Sequence, residues 1–258
     1  MARFAANLTM LFTEQPFLER FALAREAGFK AVEFLFPYAF EADELAALLQ
    51  ENQLEQALFN MPPGNWDSGE RGMAALPGRE AEFRDSVDTA LHYARVLGCP
   101  KVHAMAGIID PRYSDEQHLE TFVANIRYAA DQFAQHGITL LIEPLNSRDV
   151  PNYFIAHQRD AAKIIERIDR PNVKLQFDVY HAQIMDGDLT TMLGDLAQTI
   201  GHVQIASVPA RHEPSEGEVN YPHIFAALDQ AGYSGWIGCE YNPKTGTKEG
   251  LNWVTPYL

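Results

Sequence analysis

The chain has 258 residues, of which 47% are hydrophobic and 21% are charged. This balance excludes a disordered or fibrous protein. The formal net charge is −15, which repels phosphate backbones and anionic membranes, so neither nucleic acid nor a membrane surface is an expected partner.

Short apolar runs alternate with helical patterns along the whole chain, which is typical of βα units around a parallel sheet. The predicted strands are Phe4 to Leu8, Ala31 to Phe36, Gln56 to Asn60, Lys101 to Ala106, Thr139 to Glu143, Val173 to Asp178, His202 to Ile205 and Trp236 to Glu240. About eight such strands predict an α/β fold, a single (β/α)8 TIM barrel that occupies residues 1–258 as one domain.

Helical patterns fill the intervals between the strands. Glycine follows them directly and is the usual left-handed residue at a helix end. The predicted helices include Phe17 to Ala27, Ala81 to Leu97 and Asp115 to His136.

Two segments do not fit a plain βα unit. Residues 61–78 are rich in proline and glycine and too long for a simple turn, so they are predicted to be a functional loop over the site. The C-terminal tail, with Trp253 and Tyr257, either covers a partner subunit in a homo-oligomer or closes the barrel as its last helix.

The cysteines and the N-terminus favour a cytoplasmic protein. Cys99 and Cys239 lie far apart beside predicted strands, which indicates buried thiols in a reducing compartment. The first residues show no secretory signal, and no window approaches the roughly 20 apolar residues of a membrane span.

Carboxylates mark the carboxyl ends of the late strands. In a parallel barrel these ends share one mouth, where polar groups are typical of catalysis. Glu143, Asp178 and Glu240 end the fifth, sixth and eighth predicted strands, Gln204 lies in the seventh, and His181 follows Asp178. Any one of these acids alone is equally well explained as a helix cap or a surface ion pair, and the conjunction favours a site.

Confined carboxylates repel one another unless a cation neutralises them. Oxygen ligands without a cysteine cluster suit Mg²⁺ or Mn²⁺ better than structural zinc. We therefore expect a divalent metal ion held by Glu143, Asp178 and Glu240, with Gln204 as a neutral ligand. Glu33 is interpreted as the partner of an arginine, and His202, which begins its predicted strand, as lying at the opposite end of the barrel.

Several motifs resemble the hydroxypyruvate isomerase family and its relatives, the 2-oxo-tetronate isomerases, in the xylose isomerase-like barrel superfamily. The resemblance covers essentially the whole chain. The motifs are Arg3-Phe-Ala-Ala-Asn-Leu, Val32-Glu-Phe-Leu-Phe-Pro-Tyr, Gly69-Glu-Arg-Gly, Leu76-Pro-Gly-Arg-Glu, Asn125-Ile-Arg-Tyr-Ala-Ala, Gly201-His-Val-Gln-Ile-Ala, Arg211-His-Glu-Pro, Gly217-Glu-Val-Asn-Tyr and Gly235-Trp-Ile-Gly-Cys-Glu-Tyr.

The resemblance implies roles for individual residues. Glu143 and Glu240 would be the catalytic pair, and Glu143, Asp178, Gln204 and Glu240 would bind the metal. His181 and Arg211 would contact a small hydroxy-carbonyl acid, with the Arg211 guanidinium suited to clamp a carboxylate.

The implied reaction interconverts hydroxypyruvate and tartronate semialdehyde. It requires a proton to leave one carbon and return to its neighbour through an enediolate, with one glutamate as the base and the other as the acid. Alternatives from the same chemistry are isomerisation of a 2-oxo-tetronate, epimerisation of a keto-sugar at carbon three, and dehydration of an inositol derivative. A DNA-repair hydrolase and a non-catalytic sugar-binding barrel fit less well, because of the −15 charge and the full set of carboxylates.

Overall fold

The computed structural model describes residues 2–258, which form a closed barrel of eight parallel strands surrounded by helices. The strands are β1 (Arg3–Asn7), β2 (Ala31–Phe34), β3 (Glu55–Asn60), β4 (Lys101–His103), β5 (Thr139–Ile142), β6 (Val173–Asp178), β7 (Ile200–Ile205) and β8 (Trp236–Cys239). Each strand pairs with its neighbours in chain order, and β1 pairs with β8 to close the ring. The predicted (β/α)8 TIM barrel is therefore confirmed.

Helices follow the strands on the outside of the barrel. They are α1 (Arg20–Glu26), α2 (Ala42–Glu51), α3 (Glu80–Leu97), α4 (Asp115–Ala134), α5 (Gln158–Ile168), α6 (Val179–Met185), α7 (Leu189–Asp195), α8 (Tyr221–Gln230) and α9 (Thr247–Gly250). The strands are almost wholly buried, as in β2, because helices cover one face and inward side chains fill the other. This double burial explains why the strands appear in the sequence as apolar runs.

Several strands end earlier than predicted. β2 ends at Phe34 and β4 at His103, whereas the apolar runs continue to Phe36 and Ala106. Beyond β4, Ala106 forms an antiparallel bridge with Gly72, so this segment pairs with the loop of residues 61–78 instead of a barrel neighbour. An apolar run in the sequence does not show which segment its backbone will pair with.

The helix ends are close to those predicted. α3 begins at Glu80 and ends at a left-handed Gly98 with φ +62°. The predicted first helix is a 3-10 turn (Phe17–Glu19) followed by α1, and α4 ends at Ala134, two residues before the predicted His136. The capping box of Ser114 and Gln117 defines the start of α4.

The C-terminal tail packs on its own barrel. It is a succession of short turns rather than one helix: α9 and the 3-10 turns Leu251–Trp253 and Thr255–Tyr257. Trp253 and Tyr257 both contact Phe4 edge-on, with ring centroids 5.3 Å apart in each pair. Of the two interpretations of this tail, closure of the barrel is the one that these contacts support.

Two further expectations concern single features. Cys99 and Cys239 are free, buried thiols, as predicted, and burial raises the pKa of Cys99 to about 12. Among the helices of residues 2–258, none has both the length and the apolar character that crossing a membrane requires.

We predict that Trp253→Ala destabilises the isolated chain. The substitution removes ring contacts to Phe4 and Phe225 and a hydrogen bond to Tyr241, so the free energy of unfolding should fall by about 2–4 kcal/mol. Urea unfolding at two protein concentrations measures this loss, with Leu258→Ala as an exposed control in the same tail. A loss that grows with dilution would instead place Trp253 at a subunit contact.

Candidate active site

A cavity of about 440 Å³ opens at the carboxyl ends of the strands. Four of the predicted site residues line it: Glu143, His181, Arg211 and Glu240. Asp178 and Gln204 are buried and adjoin this set, since Asp178 contacts His181 and Arg211, and Gln204 pairs with Asp178 in the β6–β7 register. The barrel thus brings all six predicted site residues to one end, from positions spread over 98 residues of chain between Glu143 and Glu240.

Glu143, Asp178 and His181 lie close together. One ligand atom from each lies within 4.8 Å of the others. Glu143 is the first residue after β5, and Asp178 ends β6 and caps α6 by accepting a hydrogen bond of 2.8 Å from the Tyr180 N–H. His181, in the first turn of α6, is thereby held 3.6 Å from the Asp178 carboxylate.

Glu240 lies against Arg211. The guanidinium Nη2 donates to Glu240 Oε2 at 3.1 Å and lies 3.8 Å from Asp178 Oδ2, while Nη1 lies 3.7 Å from Asp149. The face of the guanidinium packs 4.8 Å from the ring centroid of Tyr180. Arg211 is therefore a built-in cation that offsets part of the negative charge.

Arg211 alone does not neutralise the three carboxyl groups of Glu143, Asp178 and Glu240. Burial, reinforced by the charges of Glu240 and Asp178, raises the pKa of Glu143 well above its ordinary value. Burial likewise raises the pKa of Asp178 and of Glu240, against the lowering effect of Arg211. Protons are therefore retained on these carboxyls at pH values where exposed acids are ionised.

His181 is a neutral hydrogen-bond donor. Burial lowers its pKa well below the ordinary value, with the charge of Arg211 acting in the same direction. The backbone N–H of Asn146 donates to His181 Nδ1 at 3.1 Å, and because an N–H can only donate, the ring proton must be on Nε2. His181 thus presents an N–H to the cavity side.

A polar chain of hydrogen-bonded side chains, Glu33, His202, Gln204 and Asn7, lies beneath the cavity, and two of its members were misinterpreted from the sequence. Glu33 does not pair with an arginine: its carboxylate accepts hydrogen bonds from His202 Nε2 at 2.7 Å, Gln204 Nε2 at 2.8 Å and Asn7 Nδ2 at 3.1 Å. His202 does not begin its strand either, because β7 starts at Ile200. Both errors share a cause: the inward side chains of β1, β2 and β7 meet in the barrel interior, which no local pattern reveals.

Glu33 also sets the orientation of the Gln204 amide. A carboxylate accepts but does not donate, so Gln204 turns its NH₂ toward Glu33 and its oxygen toward Gln176, whose Nε2 donates to it at 2.6 Å. A carbonyl oxygen has a second lone pair, and that pair remains for another partner.

Two buried oxygens fit a cation. Glu143 Oε1 and Asp178 Oδ2 are buried without a hydrogen-bond partner among the described residues, although unpaired buried carboxylate oxygens are costly. Nε2 of His181 carries a proton and lies 3.6 Å from Asp178 Oδ2, beyond hydrogen-bond distance, so it offers no lone pair to a cation. The lone pairs left at this place belong to oxygens. Such a set suits Mg²⁺ or Mn²⁺.

Several lining residues were not predicted. Trp66 and Arg71 come from the loop of residues 61–78, Asp149 from the segment after β5, and Tyr180 from the start of α6. Tyr180 and Asp149 are joined by a hydrogen bond of 2.9 Å. Tyr180 could have been found from its place between Asp178 and His181, whereas loop residues carry no such positional signal.

The chain matches one family model and several curated proteins over most or all of its length. The family model described as xylose isomerase-like TIM barrel matches residues 21–257. The 2-oxo-tetronate isomerase of Pectobacterium atrosepticum is 54% identical over 258 residues, covering 100% of this chain and 98% of that protein. The hydroxypyruvate isomerase of Escherichia coli is 47% identical over 257 residues, covering 100% of both chains.

Solved structures share the architecture. The crystal structure described as AP endonuclease, family 2, from Brucella melitensis is 59% identical, with a TM-score of 0.99 over 100% of this chain and 99% of that one. A 3-keto-D-glucoside 4-epimerase from E. coli superposes with a TM-score of 0.83 over 99% of both chains at 20% identity, which shows the fold alone.

We predict that Glu143 makes the metal-free protein less stable as the pH rises. Its raised pKa means that the folded state keeps a proton that the unfolded state releases, so its contribution is complete below the ordinary glutamate pKa and is lost as pH rises through the raised value. Between about pH 5 and about pH 8, Glu143→Gln should therefore lose less free energy of unfolding than the wild type, by at least about 1 kcal/mol.

Denaturant unfolding in EDTA at the two pH values measures the difference. Glu166→Gln is the matched control, because Glu166 is exposed on α5. Parallel pH profiles for the wild type and Glu143→Gln would show that Glu143 is already ionised in the folded protein.

Proposed function

This chain belongs to the xylose isomerase-like TIM barrel family, and we propose that it is an isomerase that exchanges the carbonyl and hydroxyl groups of a short 3-hydroxy-2-oxo acid. The observation that carries this proposal is that Glu143 and Glu240, both with raised pKa values, line one cavity. Hydroxypyruvate, which would give tartronate semialdehyde, is the first substrate candidate. 2-Oxo-tetronate is the second, favoured by the relative at 54% identity.

Both substrates require the same proton movements. A base removes a proton from carbon three, which leaves an enediolate across carbons two and three, and an acid returns a proton to carbon two. The hydroxyl proton moves from the oxygen on carbon three to the oxygen on carbon two, so atoms and charge balance. We assign the base and the acid to the pair Glu143 and Glu240, since a raised pKa lets a carboxyl hold a proton near neutral pH.

Glu143, Asp178, Gln204 and Glu240 would hold a divalent metal ion, Mg²⁺ or Mn²⁺. The fit rests on the two unpartnered oxygens of Glu143 and Asp178 and on the remaining lone pair of the Gln204 oxygen. When bound, such an ion supplies Lewis-acid stabilisation of the negative charge that develops on the substrate oxygens.

His181 and Arg211 would contact the substrate. His181 offers its Nε2–H, and Arg211 has a buried Nε–H without a partner among the described residues. Arg211 also holds the Glu240 carboxylate through Nη2, so it would orient this catalytic group as well.

The competing functions find less support. Epimerisation of a keto-sugar uses a similar pair of acids, but the epimerase structures share 17–22% identity with this chain, whereas the isomerases reach 47–54%. Cleavage of DNA is disfavoured by the net charge of −15 and by Glu143, Asp149 and Glu240 in the cavity wall, which repel phosphates.

We predict that Glu240→Gln abolishes isomerisation while leaving the fold intact. In D₂O with Mg²⁺ or Mn²⁺, proton NMR of hydroxypyruvate and of 2-oxo-tetronate should show isomerisation with deuterium entering the substrate. The substitution should lower the rate by about 10²–10⁴-fold, because it removes a group that transfers the proton.

Circular dichroism checks the fold, and Glu166→Gln controls for the chemical change at an exposed position. A folded Glu240→Gln protein with near-normal turnover would contradict the assignment. A wild type that turns over neither acid in the presence of metal would contradict the proposed reaction itself.

A further inference from the structure

We propose that Arg71 is the residue that binds the substrate carboxylate. This inference rests on the proposed function, because it concerns the acid group that distinguishes a 3-hydroxy-2-oxo acid from a neutral sugar. It departs from the sequence-based expectation that Arg211 clamps the carboxylate.

Arg211 is poorly placed to bind a second anion. Its Nη2 donates to Glu240, and its guanidinium lies within 3.8 Å of Asp178 and Asp149 as well. Its positive charge is therefore shared among carboxylates of the protein. Its Nε–H has no partner and Nη1 lies 3.7 Å from Asp149, so Arg211 keeps N–H groups, but an anion that approached them would meet the carboxylates that already share its charge.

Arg71 lines the same cavity with its charge uncompensated. It forms no ion pair among residues 2–258, and its hydrogen bonds, to the carbonyl oxygens of Trp66 and Glu70, both use Nη1. The neighbouring Glu70 carboxylate is instead paired with Arg79 at 2.9 Å. The Nε–H and Nη2 groups of Arg71 are thus available to an oxyanion.

The surroundings hold Arg71 in a defined position. Its guanidinium carbon lies 3.7 Å from the centroid of the Trp66 ring, which in turn packs against Phe36 at 5.0 Å. Stacking uses the face of the guanidinium, whereas hydrogen bonds leave in its plane, so both can form together. Trp66 also lines the cavity, so the ring that supports Arg71 lies at the same wall.

The loop is also fixed on the other side of Arg71. Gly72 has φ +100° and bridges to Ala106, and a Cβ at Gly72 would collide with the backbone oxygen of Met105. The Gly69-Glu-Arg-Gly motif therefore has a structural explanation: Glu70 ties the loop to Arg79, Gly72 allows close contact with the segment after β4, and Arg71 faces the cavity.

The charges around the cavity favour such a subsite for an acid substrate. Glu143, Asp149 and Glu240 line the cavity, and Asp178 lies beside it. An entering carboxylate is repelled by those of these groups that are ionised, and a cation without a carboxylate partner offsets this repulsion at the place where it lies. Among the described residues that line the cavity, Arg71 is the one cation without a carboxylate partner, so it orients the acid with its carboxylate toward the loop and carbons two and three toward the glutamates.

The test compares Arg71→Met, Arg71→Lys and Arg95→Met with the wild type under metal-loaded conditions. For hydroxypyruvate, Arg71→Met should raise KM by roughly 30-fold or more while kcat changes little, because the lost interaction is the same in ground and transition states. The KM of Arg71→Lys should lie between those of the wild type and Arg71→Met, since an ammonium keeps the charge but cannot form two parallel hydrogen bonds. Arg95 is exposed on α3, so Arg95→Met should resemble the wild type.

The neutral analogue dihydroxyacetone separates charge recognition from damage to the loop. Arg71→Met should leave its turnover, or its inhibition of hydroxypyruvate turnover, unchanged. A wild-type KM for hydroxypyruvate in Arg71→Met, or an equal loss for the acid and the neutral compound, would overturn the subsite.

Failure of the wild type to turn over either acid would overturn the proposed reaction but would leave the carboxylate subsite to be tested by binding. If the wild type turns over neither acid, binding of hydroxypyruvate is followed by the fluorescence of the tryptophans, which include Trp66 beneath Arg71. Weaker binding to Arg71→Met than to the wild type would then retain the subsite, and equal or absent binding to both would overturn it.

Discussion

The structure is organised around the burial of like charges. Glu143, Asp178 and Glu240 are each at most 7% exposed and lie at one end of the barrel, where little water reaches them. In such surroundings ionised carboxylates repel one another and lose hydration, so each must find a proton, a cation or hydrogen-bond donors. Each neighbouring residue contributes to the site through the positive charge or the hydrogen-bond donors that it supplies.

Arg211 supplies charge and the flanking residues supply donors. The Tyr180 N–H, His181 Nε2–H and Asn7 amide all approach carboxylate oxygens of the group. The compensation is incomplete, since oxygens of Glu143 and Asp178 stay unpaired and the pKa values of these acids stay raised. An incompletely compensated site is what an enzyme needs in order to bind a cation and move protons.

The polar chain below the cavity and the loop above it have different tasks. Below, Glu33 receives hydrogen bonds from His202, Gln204 and Asn7, which fixes the amide of Gln204 and extends the polar network into the barrel. Above, Trp66 and Arg71 line the cavity, and the guanidinium of Arg71 has no carboxylate partner among the described residues. Reaction chemistry would thus rest on rigid strand ends, while substrate recognition would rest on a loop tied down at Gly72 and Glu70.

The amino-acid sequence was enough to predict the alternation of strands and helices, the barrel, the buried cysteines and the gathering of the candidate site residues at one end, which are Glu143, Asp178, His181, Gln204, Arg211 and Glu240. The barrel and the shared mouth follow from local patterns, because strands buried on both faces appear as apolar runs and parallel strands direct their carboxyl ends to the same mouth. Arg211 was expected only from the resemblance to a family. The folded molecule alone shows the partners of Glu33 and His202, the ion pair of Arg211 with Glu240 and the exposure of Arg71 to the cavity. Those outcomes depend on which side chains meet across the barrel from distant strands and loops, and on which charges already have partners. Hydrogen bonds and ion pairs between residues distant in the chain depend on the three-dimensional arrangement, so the order of residues along the chain does not predict them.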